Sequence, residues 1–168
     1  MIYFKKKMVS GIIKLLTSDP VKIRPALQTL RIRSDGKYGY ITNGYICIRY
    51  KMEIEPKPND GSPEFIIPVE NLIKWYKLAN TKDYLDETSI LSLQDKENDT
   101  VYPEIEKIFD AHKIPERKDN FKIDSKLIEC FAKCAGSTNI KITPLIGSAI
   151  HVQSIDNRNI DGVIMELR

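Results

Sequence analysis

The chain has 168 residues, 42% of them hydrophobic and 29% charged, which fits one folded domain with its own core and excludes global disorder. Lys and Arg number 26 against 23 Asp and Glu, a net charge of +3. That is too mild to establish nucleic-acid binding, but it is compatible with basic residues segregated onto one surface. No apolar run reaches the length of a membrane span, and the first residues lack the long apolar region of a secretory signal. A cytoplasmic protein is therefore expected, and its three cysteines, an odd number, are not expected to form a disulfide framework.

Residues 2–5 predict a short strand. Met8, Ile12, Leu15 and Leu16 then recur at helical spacing, and Thr17-Ser18-Asp19-Pro20 stops that helix. Leu27 to Arg33, Lys37 to Thr42 and Tyr45 to Ile54 read as strands separated by the turns Asp35-Gly36 and Asn43-Gly44. Residues 55–63 are a loop by composition. A short strand, Phe65-Ile66-Ile67, leads through Pro68 into a helix carrying Val69, Leu72, Ile73 and Tyr76 on its buried face, with Trp75 partly exposed. Ser89 to Leu93 reads as a weak strand and Gln94 to Thr100 as a polar turn. Tyr102 to Phe109 reads as an irregular or short helical connector, and residues 110–120 as a charged linker.

The opening pattern then returns. Asn120 to Ile123 is strand-like, and Asp124 or Ser125 can cap a helix whose stripe is Leu127, Cys130, Phe131 and Cys134. Gly136 ends that helix. Strands are expected from Ile140, over Ala149 to Ser154, and over Gly162 to Leu167. Residues 2–54 and 120–168 thus form two β-α-β-β-β units joined by a connector with an extra helix, 55–119. The expectation is an α+β domain spanning 1–168, with the helices on one face of antiparallel sheets.

Several strings resemble the DNA sliding clamps, the beta subunits of bacterial DNA polymerase III. They are Arg24-Pro25-Ala26-Leu27, Ile41-Thr42-Asn43-Gly44-Tyr45-Ile46-Cys47-Ile48, Phe65-Ile66-Ile67-Pro68, Tyr102-Pro103-Glu104-Ile105 and the ending Val163 to Arg168. Asn43 stands where the family's string has Asp, and Glu166 and Leu167 break the family's ending. The resemblance spans nearly the whole chain, and the order of the strings carries it. It implies the DNA clamp fold, shortened to about one clamp domain. It also implies a processivity or tethering role in DNA replication, with duplex DNA and replication proteins such as a polymerase as partners. Rings in the family are built from six such domains, so homo-oligomers are implied as well. Clamp helices turn basic side chains toward the DNA backbone, which makes Lys6, Lys7, Lys14, Arg24, Lys126 and Lys133 the DNA-binding candidates. Each of these lysines could equally belong to a solvated helix face, and Glu129 weakens the surface between Lys126 and Lys133.

No catalytic set is visible. His112 and His151 are the only histidines, and neither has an acid and a nucleophile placed as a triad needs. No phosphate-cradling glycine loop occurs. Cys130 and Cys134 are expected to be buried, reduced and metal-free, with no cofactor. The competing reading is a protein-binding modulator of a polymerase or host clamp that does not touch DNA.

Overall fold

The computed structural model of the chain describes residues 4–33, 36–52, 64–95, 101–112, 114–117 and 120–165. The 55–63 loop, most of the 94–100 turn, Asp35, Ile54 and the ending at 166–168 lie outside the described residues. In chain order the elements are β1 (Phe4–Lys5), α1 (Lys6–Leu16), α2 (Asp19–Lys22), a 3-10 turn (Pro25–Leu27), β2 (Thr29–Arg33), β3 (Tyr38–Thr42) and β4 (Ile46–Lys51). There follow β5 (Glu64–Pro68), α3 (Val69–Leu78), β6 (Tyr84–Leu85), α4 (Glu87–Leu93), α5 (Ile105–Ala111), α6 (Ser125–Ala135), β7 (Ile140–Leu145), β8 (Ala149–Ser154) and β9 (Ile160–Met165).

The main sheet has seven antiparallel strands in the order β5-β2-β3-β4-β9-β8-β7. Its seam is β4–β9, where Ile48 faces Gly162 and Arg49 faces Asp161. Outward from that seam the strands run β4-β3-β2 on one side and β9-β8-β7 on the other. This is the twofold arrangement of two helix-plus-three-strand units that the sequence pattern predicts.

Strand alternation sorts the side chains into two layers. Leu30, Ile32, Ile41, Ile46, Ile48, Tyr50, Ile150, Val152, Ile160 and Ile164 face α1 and α6 in one buried core. The opposite face carries a smaller cluster in which Ile105 and Phe109 of α5 cover Tyr40, Cys47, Leu145, Ala149 and Val163. The helices of the two units, α1 and α6, thus share one face as expected, and α5, from the connector, covers the other.

The helix α1 buries Met8, Val9, Ile12, Leu15 and Leu16, the residues at its apolar spacing. It lies against α6 at Gly11, where an added Cβ would sit 2.5 Å from the backbone carbonyl carbon of Lys133. The two helices can meet backbone to backbone only because that side chain is missing. Asp124 caps α6 by accepting the Lys126 N–H at 2.8 Å, and Gly136 ends it in the left-handed conformation at φ 64°.

Four expectations need correction. Ser89 to Leu93 is helix α4, because Asp86 accepts the Ser89 N–H at 2.9 Å as an N-cap, with Ile90 buried in the core and Leu91 and Leu93 packed against it. Residues 120–123 form no strand; β1 pairs with β6 instead, and Phe121 stays 37% exposed. Tyr76 is half-buried and not fully in the core, since the Lys6 ammonium lies 4.8 Å over its ring. Cys134 is buried as expected, but Cys130 is only half-buried, packed against the core.

Candidate nucleic-acid interface

The packing of α1 decides which of its residues remain outside. With its apolar stripe turned to the sheet, Lys7, Ser10 and Lys14 are exposed and Lys6 is half-buried. The close approach at Gly11 brings Lys133 of α6 alongside them. Lys6, Lys7, Lys14 and Lys133, together with Tyr76, line one open cavity of about 550 Å³. Four cations from two helices therefore converge on a surface that faces away from the sheet.

The four are not equally available. The Lys6 ammonium donates to the Ala79 carbonyl and stacks on Tyr76. Lys133 pairs with Glu129 one turn away. Lys133 and then Lys14 hold the Glu129 carboxyl below its ordinary range, so this acid sits inside the basic surface, as its place in the sequence predicts. Beneath them, the hydrogen bond from Cys134 lowers the Cys130 thiol, opposed by burial and helped by Lys14 and Lys133.

Arg24 and Lys126 do not line this cavity. Arg24 is exposed before the 3-10 turn, its Nη1 3.2 Å from where a Cβ on Gly44 would sit. Its neighbour is therefore the Asn43-Gly44 turn, in which Asn43 Oδ1 accepts the N–H groups of Tyr45 and Ile46 at 3.0 and 3.1 Å. Lys126 is exposed in the first turn of α6.

A second polar group lies on the far face of the sheet and was not singled out from the sequence. Arg49 donates to both oxygens of Asp161, from Nε at 3.0 Å and from Nη2 at 2.8 Å. Its guanidinium packs 4.2 Å from the centre of the Phe109 ring. His151 Nε2 meets the same carboxylate at 3.0 Å, so this histidine does have a neighbouring acid. Burial raises the Asp161 carboxyl, but His151 and Arg49 outweigh it and leave the group below its usual range. The signal was present: Arg49, His151 and Asp161 all fall on the polar phase of their strands. Which of them would meet depended on the β4–β9 seam, which no local pattern encodes. Among the described residues no group of three or more His, Cys, Asp or Glu could hold a metal ion.

No protein-family model matches the sequence, and no curated protein matches it. Solved structures do match. The DNA polymerase III beta subunit of Borrelia burgdorferi aligns with 99% of this chain at 14% identity and a TM-score of 0.57. The Helicobacter pylori beta clamp aligns with 97% at 10% identity and a TM-score of 0.63, and the Bacillus subtilis sliding clamp with 99% at 11% and 0.56. The chain has the sliding-clamp fold. It covers 64%, 63% and 64% of those three clamp chains. A further Helicobacter pylori clamp structure, similar at 12% identity with a TM-score of 0.59, holds a DNA ligase peptide. In this clamp-like chain no helix among the described residues is long and apolar enough to cross a membrane.

Proposed function

We propose that the chain is a non-catalytic, clamp-like tethering factor of DNA replication that holds duplex DNA by its backbone, as a single domain over 1–168. The observation that carries this reading is the meeting of Lys6, Lys7, Lys14 and Lys133 on the outer side of the helix pair. Duplex DNA releases counterions when cations gather at its phosphates, and a shared lysine surface exploits this where scattered lysines do not. Arg24 and Lys126 would flank that surface. Replication proteins such as a polymerase would be the second partner, in the cytoplasm, with assembly into homo-oligomers where more than one copy holds the duplex.

The test is a salt titration of duplex binding after the solution mass has been measured. About five phosphate contacts give a log–log slope on the order of −4, with little dependence on base sequence. Lys14→Ala and Arg24→Ala should each weaken binding uniformly across sequences and make the slope shallower by about one. Binding that ignores salt, or is unchanged when Lys14 and Lys133 are both replaced, removes the reading.

One observation favours the competing reading, a protein-binding modulator without DNA contact. Both outer edges of the main sheet are met by the chain's own backbone. Asp95 N–H donates to Ile66 O on β5 at 2.8 Å. On the β7 side, Glu116 N–H donates to Pro144 O at 3.0 Å and Ile146 N–H to Ile114 O at 3.1 Å. Such covering restricts continuation of the sheet into a second copy. A monomer that competes for a polymerase peptide but leaves duplex DNA unbound would select this alternative.

A further inference from the structure

The lysine surface carries its own anion. No Asp or Glu is among the described residues that line the cavity holding Lys7, Lys14 and Lys133. Glu129 reaches it from the side. It stands one turn before Lys133 on α6, and its Oε1 accepts from the Lys133 ammonium. Lys14, from the other helix, is the second cation that favours the charged form of the same carboxylate. The crossing at Gly11 explains this meeting. Lys14 follows Gly11 by about one turn, and a Cβ on Gly11 would touch the backbone of Lys133. Two ammoniums on two helices thus share one carboxylate, as they would share a phosphate oxygen.

The pair is poorly suited to holding the fold together. The Lys133 and Glu129 side chains keep 44% and 60% of their surface in solvent, and a pair so exposed, within one helix, adds little to stability. The same exposure makes the carboxylate easy to displace. Lys6 differs, since its ammonium donates to the Ala79 carbonyl and lies over the Tyr76 ring, which ties α1 to the end of α3.

We propose that in the free protein Glu129 occupies the place that a DNA phosphate takes between Lys14 and Lys133, and so sets how firmly and how long the surface grips the duplex. This rests on the reading of the lysine surface as the duplex-binding face. Each binding event displaces the carboxylate, and a phosphate that leaves is replaced by it at once. Contacts to the backbone alone let a protein slide along DNA, and an internal competitor keeps those contacts exchanging.

Glu129→Gln removes the charge and keeps a good helix former on an exposed face. Binding to a short fluorescent duplex is read by anisotropy from about 50 to 200 mM sodium chloride. The variant should bind about five- to tenfold more tightly near 0.1 M salt, with a log–log slope steeper by about one, as one further phosphate is neutralised. Stopped-flow dissociation should slow by a similar factor. Lys133→Ala should weaken binding more in the Glu129→Gln background than in the natural chain. Glu104→Gln is the control for net charge. It opens a like pair, with Lys107, at the start of α5 on the opposite sheet face, and should leave affinity within about twofold. A Glu129→Gln chain that binds like the natural one, or more weakly, overturns the proposal and leaves the duplex reading standing. So does an equal gain in Glu104→Gln. Duplex binding that is absent or independent of salt in both the natural chain and Glu129→Gln overturns the two together.

Discussion

At Gly11 a single missing side chain sets the distance between two helices. The nearest atoms to an added Cβ are backbone atoms of Lys133 and Cys134, at 2.5 to 2.7 Å, and backbone cannot swing aside. Gly11→Ala should therefore destabilise the fold by about 1–3 kcal/mol, the usual cost of overpacking, read as a lower denaturant midpoint with an unchanged slope. A second residue-scale expectation concerns Asp161. Its folded carboxyl titrates below the unfolded one because His151 and Arg49 favour the charged form. The stabilisation is thus fully present above about pH 4 and is lost as pH falls through the folded value. Asp161→Asn should flatten the acid limb of the stability curve. At neutral pH it should cost about 1–3 kcal/mol, less than for a fully buried pair because Arg49 keeps 29% of its side chain exposed. Urea melts of both proteins across the acid range check this.

At the scale of elements, capping separates what could be read from what could not. Asp124 and Gly136 bound α6 where residue type alone places the ends. Asp86 makes the same kind of cap for α4, yet Ser89 to Leu93 reads as a strand because five residues, with Ile90 and Leu91 adjacent, are too short a window to fix a period. Asp124→Ala and Asp86→Ala should each cost about 1 kcal/mol, measured by thermal or chemical melting. The Asp86 change should act chiefly on α4, visible as faster amide exchange there. The strands were legible from alternation and from the Asn43-Gly44 turn. Residues 120–123 mislead because Phe121 and Ile123 alternate like a strand, yet the segment pairs with none: Ile123 packs against the core and Phe121 stays exposed. The lysine surface was legible only in part. Helical periodicity places Lys7 and Lys14 outside on α1, whereas the arrival of Lys133 beside them follows from the crossing at Gly11.

At the scale of the whole molecule, the sheet has two ends and each is partly occupied by the chain itself. Pro144 adds to this, since an edge strand holding proline offers one donor fewer to a neighbour. The expected solution mass at micromolar concentration is that of one chain, measured by light scattering. A stable assembly of several copies would show that association uses a surface other than these edges. If the helix-face lysines hold DNA in a monomer, dissociation should be fast, because no closed path around the duplex retains the protein.

The β4–β9 seam also sets a schedule. Arg49 and Asp161 are 112 residues apart, yet their strands are neighbours in the middle of the sheet. At about 5–20 residues per second of synthesis, β4 waits on the order of ten seconds for its second neighbour after it emerges. Through that interval the first unit presents Ile46, Ile48 and Tyr50 beside an unpaired backbone edge, the kind of surface that nascent-chain chaperones cover. Synthesis slowed between residues 52 and 160 should then lower soluble yield more than the same slowing before residue 46.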